Sequence, residues 1–176
     1  MDLDLLRRSY DRFAERYDLV FTAQQRPKVR ALLAALPDPL PEPTVDLGAG
    51  TGLVGRESGA PLVQLDASFA MLSRASGTRV MGDLYRLPFR DDAFAAAISV
   101  TALIHFDDPA PALREIARVV RPGGPVGLSV LKVEATECLE DALAPSGLLL
   151  ERRLDLDTDV GYVCRIIEAP PPFGSV

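Results

Sequence analysis

The sequence predicts an α/β fold: a doubly wound, mostly parallel sheet of seven strands whose last strand runs antiparallel, preceded by N-terminal helices. Three observations carry that prediction. From residue 44 onward, short apolar runs alternate with helix-patterned segments, which calls for crossover connections and a sheet covered on both faces. The final two apolar runs are separated only by Leu156 to Asp159, a connection that permits antiparallel pairing alone. Residues 45 to 52 read Val-Asp-Leu-Gly-Ala-Gly-Thr-Gly, a strand that ends in a glycine-rich turn where a helix should start.

The elements follow in order. Leu3, Leu6, Tyr10, Phe13, Tyr17 and Val20 recur at three- and four-residue steps and predict an amphipathic helix over 3–20. A second helix is expected from Pro27 to Leu36, because proline suits a first-turn position. Pro37 to Pro43 has proline at alternate residues, so half its amides are missing and it reads as a stiff linker. Strands are then expected at 44–48, 62–65, 78–81, 94–100, 125–131, 148–155 and 160–168, with helices at 53–58, 68–75, 109–120 and 135–144. The segment Leu53 to Ser58 is short, since Gly59-Ala60-Pro61 ends it well before the about three turns of an average helix. One domain spanning 1–176 is expected, with 1–36 a helical lid and 43–169 the core.

Composition removes several classes of function. The chain has 176 residues, 48% hydrophobic and 25% charged, which is ordinary for a globular protein. Its net charge of −6 comes without any lysine- or arginine-rich block, so the electrostatic footprint of a nucleic-acid binder is missing. The N-terminal Met-Asp-Leu-Asp lacks the basic and apolar regions of a signal peptide, and Ala93 to Ile104 is too short to span a bilayer. A cytoplasmic chain with no membrane partner is expected. Cys138 and Cys164 lack metal-type spacing and the chain has one histidine, so neither a zinc site nor a disulfide framework is indicated.

Glycines at 48, 50 and 52 let the backbone turn through positive φ and let a ligand lie against the main chain. A dinucleotide fingerprint would place its third glycine or alanine at position 53, which is Leu53. The turn is therefore a poor pyrophosphate site, and Asp46 beside it favours a ligand carrying positive charge.

Four further blocks follow in order: Leu65-Asp66-Ala67-Ser68 with Met71-Leu72, Gly82-Asp83-Leu84 with Leu87-Pro88-Phe89, Ser99 through Phe106, and Arg121-Pro122-Gly123-Gly124. Together with residues 45–52 this series resembles the class I S-adenosylmethionine-dependent methyltransferases over about residues 43 to 133. The resemblance implies a Rossmann-like core and S-adenosylmethionine as cofactor. It implies that Gly48, Ala49, Gly50 and Gly52 cradle the cofactor and that Asp46 helps hold its methionyl ammonium. Asp66, with Ala67 beside it, would accept both ribose hydroxyls, Asp66 being alternatively a helix cap. Asp83 and the Leu84 amide would meet the adenine, or Asp83 would serve only its turn. Thr101 opens the segment that supplies carbonyls to the cofactor and side chains to the substrate.

His105 lies in that segment and can take a proton near neutrality, or it braces the turn at Asp107-Asp108-Pro109. Tyr10 and Tyr17 on the first helix, together with His105, are the candidate substrate contacts, in a lid that would select an apolar or aromatic small molecule. With no inserted substrate domain, a homodimer partner is also admitted. Met71 and Leu72 read as core, and Arg114, Glu115 and Arg118 as a solvated helix face. Methyl transfer to a small molecule is the leading function. The competing readings are a methyltransferase-like module that binds a cofactor or partner without catalysis, and a dinucleotide-dependent oxidoreductase, which the glycine spacing opposes.

Overall fold

The computed structural model describes residues 3–103, 108–132 and 136–167. The chain runs α1 (Leu3–Ala34), β1 (Thr44–Leu47), α2 (Leu53–Ser58), β2 (Leu62–Asp66), α3 (Phe69–Leu72), β3 (Thr78–Met81), β4 (Ala96–Val100), α4 (Ala110–Val119), β5 (Pro125–Leu131), α5 (Thr136–Leu143), β6 (Leu148–Leu156) and β7 (Asp159–Ile166). The strands form one sheet in the order β3-β2-β1-β4-β5-β7-β6. The first five are parallel, and β7 pairs antiparallel with both β5 and β6. This is the sheet the sequence predicts, reversed strand included.

Burial explains the composition of each strand. The central strands β1, β4 and β5 are buried along nearly their whole length, which is why they read as unbroken apolar runs rather than alternating ones. The edge strands β3 and β6 are mostly exposed and carry arginines, which discourages further strand pairing. On one face α4 and α5 cover the sheet, with Leu113, Ile116 and Val119 of α4 and Leu139 and Leu143 of α5 packed on Val45, Ala97 and Leu128. On the other face Val29, Leu32 and Leu36 join Val54 of α2 over Ile98 and Val163. Gly127 in β5 permits that approach, because a Cβ there would lie 2.9 Å from Leu36 and 3.4 Å from Leu32.

Two expectations need correction. The N-terminal segment is one helix of 32 residues with Pro27 inside it, not two helices. Pro27 removes the hydrogen bond to the Ala23 carbonyl, but both residues are exposed, so water can serve that carbonyl while the buried Lys28, Val29 and Leu32 hold the helix to the sheet. The aromatic face also continues to Phe21 rather than Val20, which is 54% exposed. Second, Glu115 and Arg118 are not merely solvated. Glu115 accepts from the Leu87 amide at 2.8 Å, and Arg118 donates to the carbonyls of Phe89 and Leu87 at 2.8 and 3.2 Å, so the pair braces the loop before β4.

Candidate functional site

Three parallel strands end side by side at the glycine turn. Gly48 and Ala49 both donate their amides to the Leu65 carbonyl, at 2.8 and 2.9 Å, which folds the turn back over the end of β2. Gly48 has φ +74, and a Cβ there would collide with Ala102. Gly50 donates its amide to Asp66 Oδ2 at 2.8 Å, while Asp66 Oδ1 accepts from the Ser68 amide at 2.8 Å. Asp66 is thus held by two backbone amides and is not the cap of α3. That role belongs to Ser68, whose Oγ accepts from the Met71 amide at 3.1 Å.

A cavity of about 340 Å³ opens over this end of the sheet. The structure brings to it Gly48, Gly50, Asp66, Ala67, Asp83, Leu84, Thr101, Tyr10 and Tyr17. Asp46 and Ala49 line a crevice of about 50 Å³ that shares Gly48, Gly50 and Tyr17 with it. Gly52 is elsewhere: it caps α2 at φ +82 and lines a separate groove above Gln64. Close packing accounts for that glycine, since a Cβ would lie 2.9 Å from the Ala75 Cβ. Asp83 faces the cavity and also accepts from the Tyr85 amide at 2.9 Å, so its turn role is real. Met71 and Leu72 are buried as expected, and Met71 also forms cavity wall. His105 lies outside the described residues.

Charge in the site is lopsided. Asp46 is buried, and neither carboxyl oxygen has a hydrogen-bond partner among the described residues. Burial, and then the charge of Asp66, push its carboxyl up to about 8. Burial also raises Asp66 against the lowering pull of the Ser68 and Gly50 amides. Asp46 is buried and Asp66 partly so, and Arg7 of α1 lines the same cavity as Asp66. A buried carboxyl without a partner, as at Asp46, is satisfied by a positively charged group. Burial, then Tyr10 and Asp66, raise the Tyr17 hydroxyl to about 12, so it stays protonated near neutrality.

A second cavity, about 590 Å³, adjoins the first and shares Tyr10, Tyr17 and Thr101 with it. Tyr10, Phe13, Tyr17 and Phe21 of α1 line it, with ring centroids of successive neighbours 5.0 to 6.3 Å apart. Below them lie Gln25, Lys28 and Thr101. The helix that carries these rings is tied to the glycine turn: Asp18 accepts from Thr51 Oγ1 at 2.6 Å and Asp11 from Ser68 Oγ at 2.5 Å. These two acids escaped the sequence reading, though each follows a candidate tyrosine directly and shares its seven-residue spacing. Lys28 and Asp159, which form a buried pair, left no such signal.

Comparison with known proteins now decides the family. A family profile described as "Methyltransferase domain" matches residues 45–128. The demethylmenaquinone methyltransferase of Corynebacterium kroppenstedtii is 42% identical over 127 residues, 66% of this chain and 56% of that protein. The malonyl-[acyl-carrier protein] O-methyltransferase of Halorhodospira halophila is 35% identical over 161 residues, 84% of this chain and 55% of that protein. This chain belongs to the class I S-adenosylmethionine-dependent methyltransferases. It spans about half the length of these curated relatives. The fold agrees: an S-adenosylmethionine-dependent methyltransferase from Thermotoga maritima superposes with a TM-score of 0.74 at 20% identity, over 89% of this chain and 98% of the other.

S-adenosylmethionine is thus the cofactor that the site has to fit, and the residues present do fit it. The unpartnered Asp46 suits a cationic ligand, and the strands' ends offer acids and bare backbone to a nucleoside. No helix among the described residues is long and apolar enough to cross a membrane. No group of three or more metal-ligating side chains occurs among them either.

Proposed function

We propose that the chain transfers a methyl group from S-adenosylmethionine to a small, largely apolar or aromatic molecule. The observation that carries this reading is the pair of adjoining cavities, one built of glycine turn and carboxylates, the other of aromatic rings, with Tyr10, Tyr17 and Thr101 as their common wall. When bound, S-adenosylmethionine supplies a methyl carbon already activated by its sulfonium. The chain's own task is then to align and to exclude water, with no metal or covalent nucleophile.

In this reading Asp46 ionises against the methionyl ammonium, Asp66 receives the ribose hydroxyls, and Asp83 with the Leu84 amide meets the adenine. Gly48, Ala49 and Gly50 offer their backbone to the amino-acid end. The first half of α1 closes over the acceptor, whose aromatic contacts are Tyr10 and Tyr17. His105 is the group that takes a proton from acceptors that must lose one. A cytoplasmic location, an acceptor other than nucleic acid and a homodimer go with the same proposal.

The demethylmenaquinone and malonyl-[acyl-carrier protein] O-methyltransferases it is similar to support transfer to a discrete acceptor. Isothermal titration with S-adenosylhomocysteine and with NAD tests the cofactor half. Transfer of a radiolabelled methyl group across pools of apolar or aromatic and of polar metabolites tests the acceptor half. Binding of S-adenosylhomocysteine and labelling of largely apolar or aromatic acceptors, with polar ones unlabelled, are expected. Binding of NAD alone would overturn the reading, and binding without labelling of any pool would leave a cofactor-binding module.

A further inference from the structure

Lys28 and Asp159 form an ion pair of 2.5 Å whose side chains are 2% and 0% exposed. Asp159 does more than neutralise the lysine. Its Oδ1 also accepts from Thr158 Oγ1 at 3.1 Å, and its Oδ2 accepts from Thr101 Oγ1 at 2.8 Å and Ser129 Oγ at 3.2 Å. The Thr101 amide donates in turn to the Ser129 carbonyl at 2.9 Å and lies 3.2 Å from its Oγ. Thr101 has φ +55, a left-handed conformation that a β-branched residue adopts only when its surroundings enforce it. It also stands in the wall shared by the two cavities.

Taking the methyltransferase reading as given, we infer that Asp159, with Lys28 behind it, is a positioning residue: the pair clamps Thr101 in its left-handed backbone at the partition between cofactor and acceptor cavities. The clamp joins three parts of the fold. Lys28 comes from the sheet-bound half of α1, Asp159 from the start of β7, and Thr101 from the end of β4. A buried pair contributes little net stability compared with an apolar replacement, so stability alone does not account for burying two charges here. A strained residue at the partition does, because an over-determined hydrogen-bond network is what holds such a conformation in place.

The test is a double-mutant cycle read by calorimetric affinity for S-adenosylhomocysteine. Lys28→Met with Asp159→Asn removes both charges together, so neither is left buried alone. The paired change is expected to weaken binding about tenfold with Thr101 in place, and by less than about twofold in a Thr101→Gly chain, where glycine adopts positive φ without a clamp. Equal losses in the two backgrounds, or no loss in either, overturn the inference.

If the paired variant is unfolded by circular dichroism, Thr101→Ser and Thr101→Val decide instead. Serine keeps the hydroxyl and is expected to bind within about twofold of the parent, while isosteric valine binds about tenfold more weakly. Equal affinities of the two overturn the inference. A parent chain that binds no S-adenosylhomocysteine at all removes the methyltransferase reading and this inference with it, which separates that failure from the others.

Discussion

Asp46 shows how one side chain can couple proton, ligand and fold. Its carboxyl, pushed up to about 8 by burial and by Asp66, holds a proton in the folded chain that the unfolded chain has lost above a pH of about 4. Folding stability of the free chain should therefore be greatest at low pH with respect to this group, fall as pH rises from about 4 to about 8, and level off beyond. An ammonium placed beside the carboxyl reverses its preference, so binding of S-adenosylhomocysteine at pH 7 is expected to release about one proton. Calorimetry in buffers of different ionisation enthalpy measures that number directly. Asp46→Asn should abolish the release, weaken binding by about tenfold or more, and raise the melting temperature of the free chain at pH 9. A parent chain that releases no proton would remove Asp46 from the ammonium.

The same scale shows what a sequence can and cannot display. Asp46, Asp66 and Asp83 were legible because each lies at or within two residues of the end of an apolar run, and the ends of parallel strands are where ligands gather. Gly48 was legible because the turn needs it, whereas Gly52 shares its spacing but serves packing. Lys28 and Asp159 are separated by 131 residues. Nothing local distinguishes a lysine that will be buried from the many that stay solvated, and only the closed sheet brings the two together.

Among the elements, α1 divides into two functional halves. The second half is core through Val29 and Leu32, while in the first half Ala14 alone is buried among the described side chains and the aromatic rings are partly exposed. That half is fastened by Asp11 and Asp18 to α3 and the glycine turn. Removing both carboxylates, as Asp11→Ala with Asp18→Ala, deletes the two short hydrogen bonds to Ser68 and Thr51, worth about 1 kcal/mol each, together with longer ones from Ala70, Thr22 and Arg56. Hydrogen exchange of amides 9–21 is expected to quicken about tenfold or more, with the core strands unaffected. Exchange that stays slow across the helix would show that the rings, not the acids, hold it down. The sequence splits this helix because Pro27 reads as the first turn of a new one, and that local preference yields to the well-buried face that continues through Val29 and Leu32. The shortness of α2 was legible for the opposite reason. Gly59 takes φ +64 as its cap and Pro61 follows two residues later, a local ending with no tertiary term opposing it.

For the whole molecule, ligand binding and folding are one equilibrium. S-adenosylhomocysteine at about 100 times its dissociation constant adds about 2.7 kcal/mol to the folded state. For a chain of this length that corresponds to a rise of about 5 to 10 °C in melting temperature. Thermal melts with and without the ligand check it, and NAD at the same concentration should produce no rise. The parallel order of the sheet and its reversed last strand were readable as a whole because alternation of elements and one short connection leave few topologies open. The outline of the ring-lined cavity was not, since it depends on where a helix from the far N-terminus comes to rest.

The four rings that line the second cavity, the proposed acceptor site, all belong to one stretch of twelve residues, Tyr10 to Phe21. The carboxylates and glycines of the other cavity lie outside it, in residues 46–83. On the proposed reading, the acceptor's rings and the cofactor's carboxylates and glycines therefore come from two different stretches of sequence, whose cavities meet at Tyr10, Tyr17 and Thr101. On that reading, exchanging the ring positions between residues 10 and 21 while keeping Asp11 and Asp18, which fasten the helix, is expected to change the acceptor and leave the carboxylates and glycines of the other cavity in place.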